Sequence, residues 1–186
     1  MRKIALTACI LLMAGLAVAQ VPTSGNIFAG YSYFNAGSTS ATEGGGLNGW
    51  QGSLEGKIIP FLGMVADFSG NYGSLNLVPI AVPAGSCPTG CPTNVHAHVD
   101  NFLFGPRVSV SVGSWRPFAE ALFGVGHMST NVIGSDTSFA TALGGGLDYK
   151  IIKPIAVRVQ FDYVHTSFFS TTQNNVRLGT GIVVRF

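Results

Sequence analysis

NNVRLGTGIVVRF, residues 174–186, decides how the rest of the chain is read. Its residues alternate strictly. Val176, Leu178, Thr180, Ile182, Val184 and Phe186 share one parity; Arg177, Gly179, Gly181, Val183 and Arg185 share the other. Successive side chains of a strand point to opposite faces, so this is a strand with one apolar face and one face carrying glycine and arginine. A soluble sheet buries its apolar face and wets the polar one. A membrane barrel does the reverse, with apolar residues meeting lipid and polar residues meeting the lumen.

Composition favours the second arrangement. Charged residues make up 10% of the 186, glycine numbers 25, and mean hydropathy is +0.39. So little charge would leave a secreted globular domain hard to keep in solution. At the N-terminus Arg2 and Lys3 precede the apolar ALTACILLMAGLAVA, and Ala17-Val18-Ala19 has the small-x-small pattern of a signal-peptide cleavage site. The expected organisation is a signal peptide over 1–19 and a single barrel domain over 20–186. Removing Arg2 and Lys3 leaves eight basic against eight acidic side chains, so the mature chain is formally neutral and offers no basic patch for nucleic acid. After residue 19 no segment reaches 18 uninterrupted apolar residues, which excludes helical spans. A closed barrel is the other way to satisfy every backbone group in lipid.

Eight strands are expected, at 26–34, 46–57, 62–72, 98–112, 116–127, 138–151, 154–166 and 174–186. Their connections alternate. KIIPFLG, GSWRPFA and KIIKPIA are short and contain Pro60, Pro117 and Pro154; NAGSTSATEGG, the region 73–97, STNVIGSDT and SFFSTTQNN are longer and polar. Short turns at one end and long loops at the other form the pattern of an all-β, eight-stranded, antiparallel up-and-down transmembrane barrel. Lys57, Phe61, Trp115, Arg116, Lys150 and Lys153 near the short turns fit a lipid–water boundary.

The parity of the last strand recurs. Arg107, Glu120, Asp148, Arg158 and Asp162 share a face with small or polar residues, while Phe102, Phe104, Phe123, Leu143, Leu147, Val159 and Phe161 lie on the opposite one. Gln51, Ser53, Glu55 and Asp67 join the inner set; Asp100 has the wrong parity and is expected above the lipid, at its strand's outer end. Hairpins centred near 114, 152 and 170 bring Glu120 to Arg107, Asp148 to Arg158 and Asp162 to Arg177. The expected lumen is filled by these ion pairs, since eight strands enclose only enough room for side chains.

The stretches FAGYSYF, NFLFGPRVSV, RPFAEALFGVGH, TALGGGLDYKI, AVRVQFDYVHT and VRLGTGIVVRF together resemble the opacity-protein and OmpA-like eight-stranded outer-membrane barrels. The resemblance implies residence in the cell outer membrane as a monomer. It also implies contact with outer-membrane lipids, recognition of Phe186 by the outer-membrane assembly machinery, and loops that meet an extracellular ligand. Some OmpA-like proteins continue into a peptidoglycan-binding domain; the sequence given stops at the barrel, and no cell-wall anchoring is expected.

Three local features bear on chemistry. CPTGCPTNVHAH, residues 87–98, could hold a metal through Cys87, Cys91, His96 and His98, but exported chains favour disulfides. A Cys87–Cys91 bridge and no metal is the expectation. GHMSTN sets His127 and Ser129 one residue apart, which resembles the lipid A deacylases; a triad also needs an acid, and only Asp136 is near in sequence. The GGG runs at 44–46 and 144–146 have no following helix to make a phosphate loop, and the second is expected to permit bending or close packing within a strand. No cofactor and no catalysis are expected: the reading is an envelope-integrity or surface-contact barrel, with a lipid A-modifying hydrolase or a narrow pore as alternatives.

Overall fold

The computed structural model describes residues 24–37, 45–76, 94–130, 134–168 and 171–186. The strands are β1 (Gly25–Ala36), β2 (Gly45–Ile59), β3 (Leu62–Asn76), β4 (Asn94–Ser109), β5 (Trp115–Thr130), β6 (Gly134–Ile152), β7 (Ile155–Phe168) and β8 (Thr171–Arg185). Each pairs antiparallel with its sequence neighbour, and β8 closes on β1, giving one barrel in the order β1 to β8. Closure removes the sheet edges, so the ladder satisfies the backbone in lipid. No helix occurs among the described residues. The expected signal peptide, and both Cys87 and Cys91, lie outside them.

All eight expected strands form, and most run further than expected at the loop end. STNVIGSDT was expected as a loop, but β5 and β6 continue through most of it in register, from His127↔Thr137 to Thr130↔Gly134, leaving 131–133 between them. Gly134 takes φ +99° there, a conformation that costs a residue with a Cβ. Ladder pairing satisfies these backbone groups as well above the lipid as within it. SFFSTTQNN is likewise mostly strand, with β7 reaching Phe168 and β8 beginning at Thr171. At the turn end, β4 stops at Ser109 rather than 112. A Val112↔Trp115 bridge and Gly113 at φ +63° complete the wide turn to β5.

The faces sort as the alternation demands. Ile27, Leu54, Phe68, Phe102, Phe104, Phe123, Leu143, Val159, Phe161 and Ile182 are exposed on the outer wall. Aromatic pairs lie across that wall: Phe68–Phe102 at 4.7 Å, Phe104–Phe123 at 6.5 Å, and Trp115–Tyr149 at 4.6 Å near the turns. The core is the lumen. Glycine lets strands and inward side chains approach: a Cβ on Gly144 would fall 2.1 Å from Asp162 Oδ1 and 2.4 Å from the Phe161 carbonyl oxygen.

Candidate functional site

The lumen holds the chain's charged chemistry. Arg107, Arg158 and Arg177 are among its largest fully buried side chains. Arg107 and Glu120 are register partners on β4 and β5; Arg107 Nε donates to Glu120 Oε2 at 2.7 Å, and Nη2 lies 2.5 Å from the same oxygen. Arg158 Nε donates to Asp148 Oδ1 at 2.7 Å and Nη2 to Oδ2 at 3.1 Å, a bidentate pair between β7 and β6. Arg177 Nε donates to Asp162 Oδ2 at 3.0 Å between β8 and β7.

Hairpin arithmetic cannot see the links that join these pairs. Arg107 Nη1 also donates to Glu55 Oε2 on β2 at 3.2 Å, and Arg177 Nη1 reaches across to Asp67 Oδ1 on β3 at 2.7 Å. Asn26 on β1 donates to Glu55 at 2.7 Å and accepts from Arg158 at 3.3 Å. Gln160 donates to both Glu120 at 2.7 Å and Asp162 at 2.9 Å. Arg185 joins through Asp148 at 3.2 Å, and Gln51 through Asp67 at 2.7 Å. One connected network thus runs from Arg185 to Gln51, with every strand of the barrel contributing a member. Phe118 sits inside it, with the Arg107 and Arg158 guanidinium carbons 4.4 and 4.6 Å from its ring centre.

Lys57 and Arg116 require a correction. Both lie inside the mouth rather than at the lipid boundary: Lys57 Nζ is 2.8 Å from Glu55 and 2.6 Å from Ser109 Oγ, and Arg116 donates to Ser109 Oγ at 3.0 and 3.1 Å.

Charge does not fill the whole lumen. Phe34, Leu47, Val99, Leu103, Leu122, Met128 and Val164 belong to one buried apolar cluster. On β2, β4, β5 and β7 these residues lie nearer the loops than that strand's lumen charges. The lumen charges therefore gather toward the turn end, while toward the loops apolar side chains mix with buried uncharged polar ones such as Asn71, Thr166 and Asn175. The signal was present in the sequence, because Leu103 shares parity with Arg107, Leu122 with Glu120 and Val164 with Asp162.

On the outer wall, polar side chains cap the apolar band at the loop end. His98 Nε2 is 2.9 Å from Asp100 Oδ1, and the His98 ring stacks on Tyr72 at 4.2 Å. Asp100 thus faces outward, half-exposed, but β4 runs six residues past it to Asn94, so it lies within the strand rather than at its outer end. His127 Nδ1 pairs with Thr137 Oγ1 at 2.7 Å, and His165 Nδ1 with Asn174 Oδ1 at 2.8 Å. His127 and Ser129 both face outward on β5; the His127 ring pairs with Thr137, while the acid opposite it in register, Asp100 on β4, is bonded to His98 rather than to His127. Of the four residues considered for a metal, His96 and His98 lie on β4 and the two cysteines fall outside the described residues. Among the described residues no group of three His, Cys, Asp or Glu side chains is arranged to hold an ion.

At the turn end Phe186 is exposed on the outer wall. Its backbone closes the barrel: Gly25 N–H donates to its carbonyl at 2.9 Å, and its own N–H donates to Gly25 at 3.1 Å.

No protein-family profile matches the chain, and no curated protein matches its sequence. Solved structures do match. Neisserial surface protein A superposes with a TM-score of 0.65 at 14% identity, over 87% of this chain and 97% of that one. OprG from Pseudomonas aeruginosa, an outer membrane protein, gives 0.60 at 9% identity, over 88% and 95%. Ail, the attachment invasion locus protein of Yersinia pestis, in complex with the heparin analogue sucrose octasulfate, gives 0.56 at 14% identity, over 88% and 98%. At such identities the likeness is one of fold. The chain has the fold of the small eight-stranded β-barrels of bacterial outer membranes.

Proposed function

We propose that this is a non-conducting outer-membrane barrel whose lumen network braces its wall, and whose loop end makes the contacts through which it serves the envelope or the cell surface. The observation that carries the reading is the continuous buried network to which every strand contributes. A water-filled channel would leave its lining polar groups exposed, whereas Arg107, Asp67, Asp162 and Arg177 have no exposed surface. The apolar cluster above them gives an ion a second dry barrier. Together they favour closure over the narrow-pore alternative. With the short turns periplasmic, as barrels of this kind place them, the segments 38–44 and 77–93 would reach outside. The attachment role in the name of Ail and the surface location in that of Neisserial surface protein A support a contact role for those loops.

Reconstituted into planar bilayers, the protein is expected to show no steady single-channel openings; discrete, reproducible conductance would overturn the closed-lumen reading. Deleting residues 78–92 is expected to leave a folded, heat-modifiable barrel while reducing attachment of expressing cells to a host-cell or matrix surface. Undiminished attachment would move the contact away from that loop.

The hydrolase reading draws on His127 and Ser129 facing lipid at the loop end. The Thr137 partner of His127 weighs against it, because a hydroxyl cannot stabilise an imidazolium as a carboxylate does. Incubation of the purified barrel with lipopolysaccharide is therefore expected to release no acyl chains. Release that disappears in Ser129→Ala would reverse this conclusion.

A further inference from the structure

The turn-end mouth of the lumen carries a cavity of about 400 Å³ that the network does not fill. It lies between the β4–β5 turn, the β6–β7 turn and the end of β8, and is lined by Ser111, Lys150, Lys153 and Arg185 together with Ile152 and Phe186. Backbone bonds fix the segments that frame it: Lys150 N–H donates to the Ser114 carbonyl at 2.8 Å, and Arg185 N–H to the Pro154 carbonyl at 2.9 Å.

Three cations line this space and one nearby carboxylate answers them. Asp148 receives Arg185 Nη2 at 3.2 Å, but the same carboxylate is held bidentately by Arg158. Arg185 Nε is buried without a hydrogen-bond partner. Among the described residues, neither Lys150 nor Lys153 forms a salt bridge. Glu55, the other carboxylate near this mouth, already meets Lys57, Arg107 and Arg116. Were Phe186 the terminal residue, its carboxylate would offset one charge and leave the excess positive.

We propose that this mouth is a binding site for a phosphate group, held by Lys150, Lys153 and the free face of Arg185, with the Ser111 hydroxyl as an additional donor. A tetrahedral oxyanion presents several acceptors to converging cations, and the part-exposed side chain of Arg185 adds its charge to those of the two lysines. Ile152 and Phe186 give the cavity an apolar side continuous with the lipid-facing wall, so a net-anionic phosphate diester carrying acyl chains, with no ammonium to offset its charge, fits as well as a free phosphate. Such a site requires only that the turn end meets water and lipid headgroups, whether or not the lumen conducts and whatever the loops touch.

The test titrates the full barrel in neutral detergent with inorganic phosphate, with short-chain phosphatidylglycerol and with short-chain phosphatidylcholine, following backbone amide shifts at 150–153 and 183–186. Saturable shifts with phosphatidylglycerol and not with phosphatidylcholine are expected, and a Lys150→Gln/Lys153→Gln variant should bind about fivefold more weakly for each lysine removed. Equal saturation by inorganic phosphate identifies a free-phosphate site; saturation by phosphatidylglycerol alone identifies a headgroup site; both uphold the proposal. Absence of saturable shifts with either anion, or unchanged affinity in the double variant, overturns it. Both lysines lack side-chain bonds among the described residues, and retained heat-modifiable mobility will show that the variant folds.

Discussion

Arg177→Met is expected to destabilise the barrel by about 3–5 kcal/mol, read as a lowered urea midpoint for reversible unfolding in phospholipid vesicles. The magnitude follows from what the substitution strands. Arg177 is fully buried, and its guanidinium lies 2.7 Å from Asp67 and 2.8 Å from Asp162. Removing it leaves two fully buried carboxylates without their cation, with Gln51 donating to Asp67 and Gln160 to Asp162 as their remaining donors. Breaking a buried pair by deleting one partner costs far more than the pair's net worth, because the abandoned charge keeps its desolvation penalty. Adding Asp67→Asn and Asp162→Asn should therefore recover much of the loss. A water-filled lumen predicts otherwise, since solvent would screen the two carboxylates and the single substitution would cost about 1 kcal/mol or less. A midpoint within error of the parent protein would show that the interior is wet.

That network also shows where sequence reading stops. Alternation along single strands assigned Arg107, Glu120, Asp148, Arg158, Asp162 and Arg177 to one interior, and hairpin centres paired them, because both depend only on neighbours along or beside a strand. The second partners do not. Arg107 meets Glu55 from two strands away, and Arg177 meets Asp67 across the lumen. Such contacts depend on barrel curvature, strand tilt and the length of a guanidinium, none of which alternation encodes. The inward apolar cluster is hard to read for a different reason: Leu103 and Leu122 look like lipid-facing residues until their parity is counted. The strand extensions at 128–130 and 134–137 are not legible because Ser, Thr and Asp signal a loop, yet above the lipid a polar hairpin pairs its backbone equally well. Lys57 and Arg116 lie near turns, but their parity with Glu55 and Glu120 turns them into the mouth.

The outer wall gives the second large effect. Phe161→Arg, near the middle of β7, is expected to cost about 2–4 kcal/mol in vesicle unfolding. Ser167→Arg, on the same face of the same strand but near its loop end, is expected to cost at most about 1 kcal/mol. The two positions are roughly 20 Å apart along the strand, so only one of them meets hydrocarbon. The comparison separates lipid from water as the solvent of this face. Phe161 is 50% exposed. Were that surface in water, arginine there would be nearly neutral, as surface substitutions usually are, and the two variants would unfold together. In a bilayer the Phe161→Arg guanidinium must snorkel or draw water into the acyl region, whereas at 167 it sits among headgroups. Equal midpoints for the two variants would refute the membrane assignment itself, since every alternation from Ile27 to Phe186 would then present its apolar side to water with no physical reason to do so.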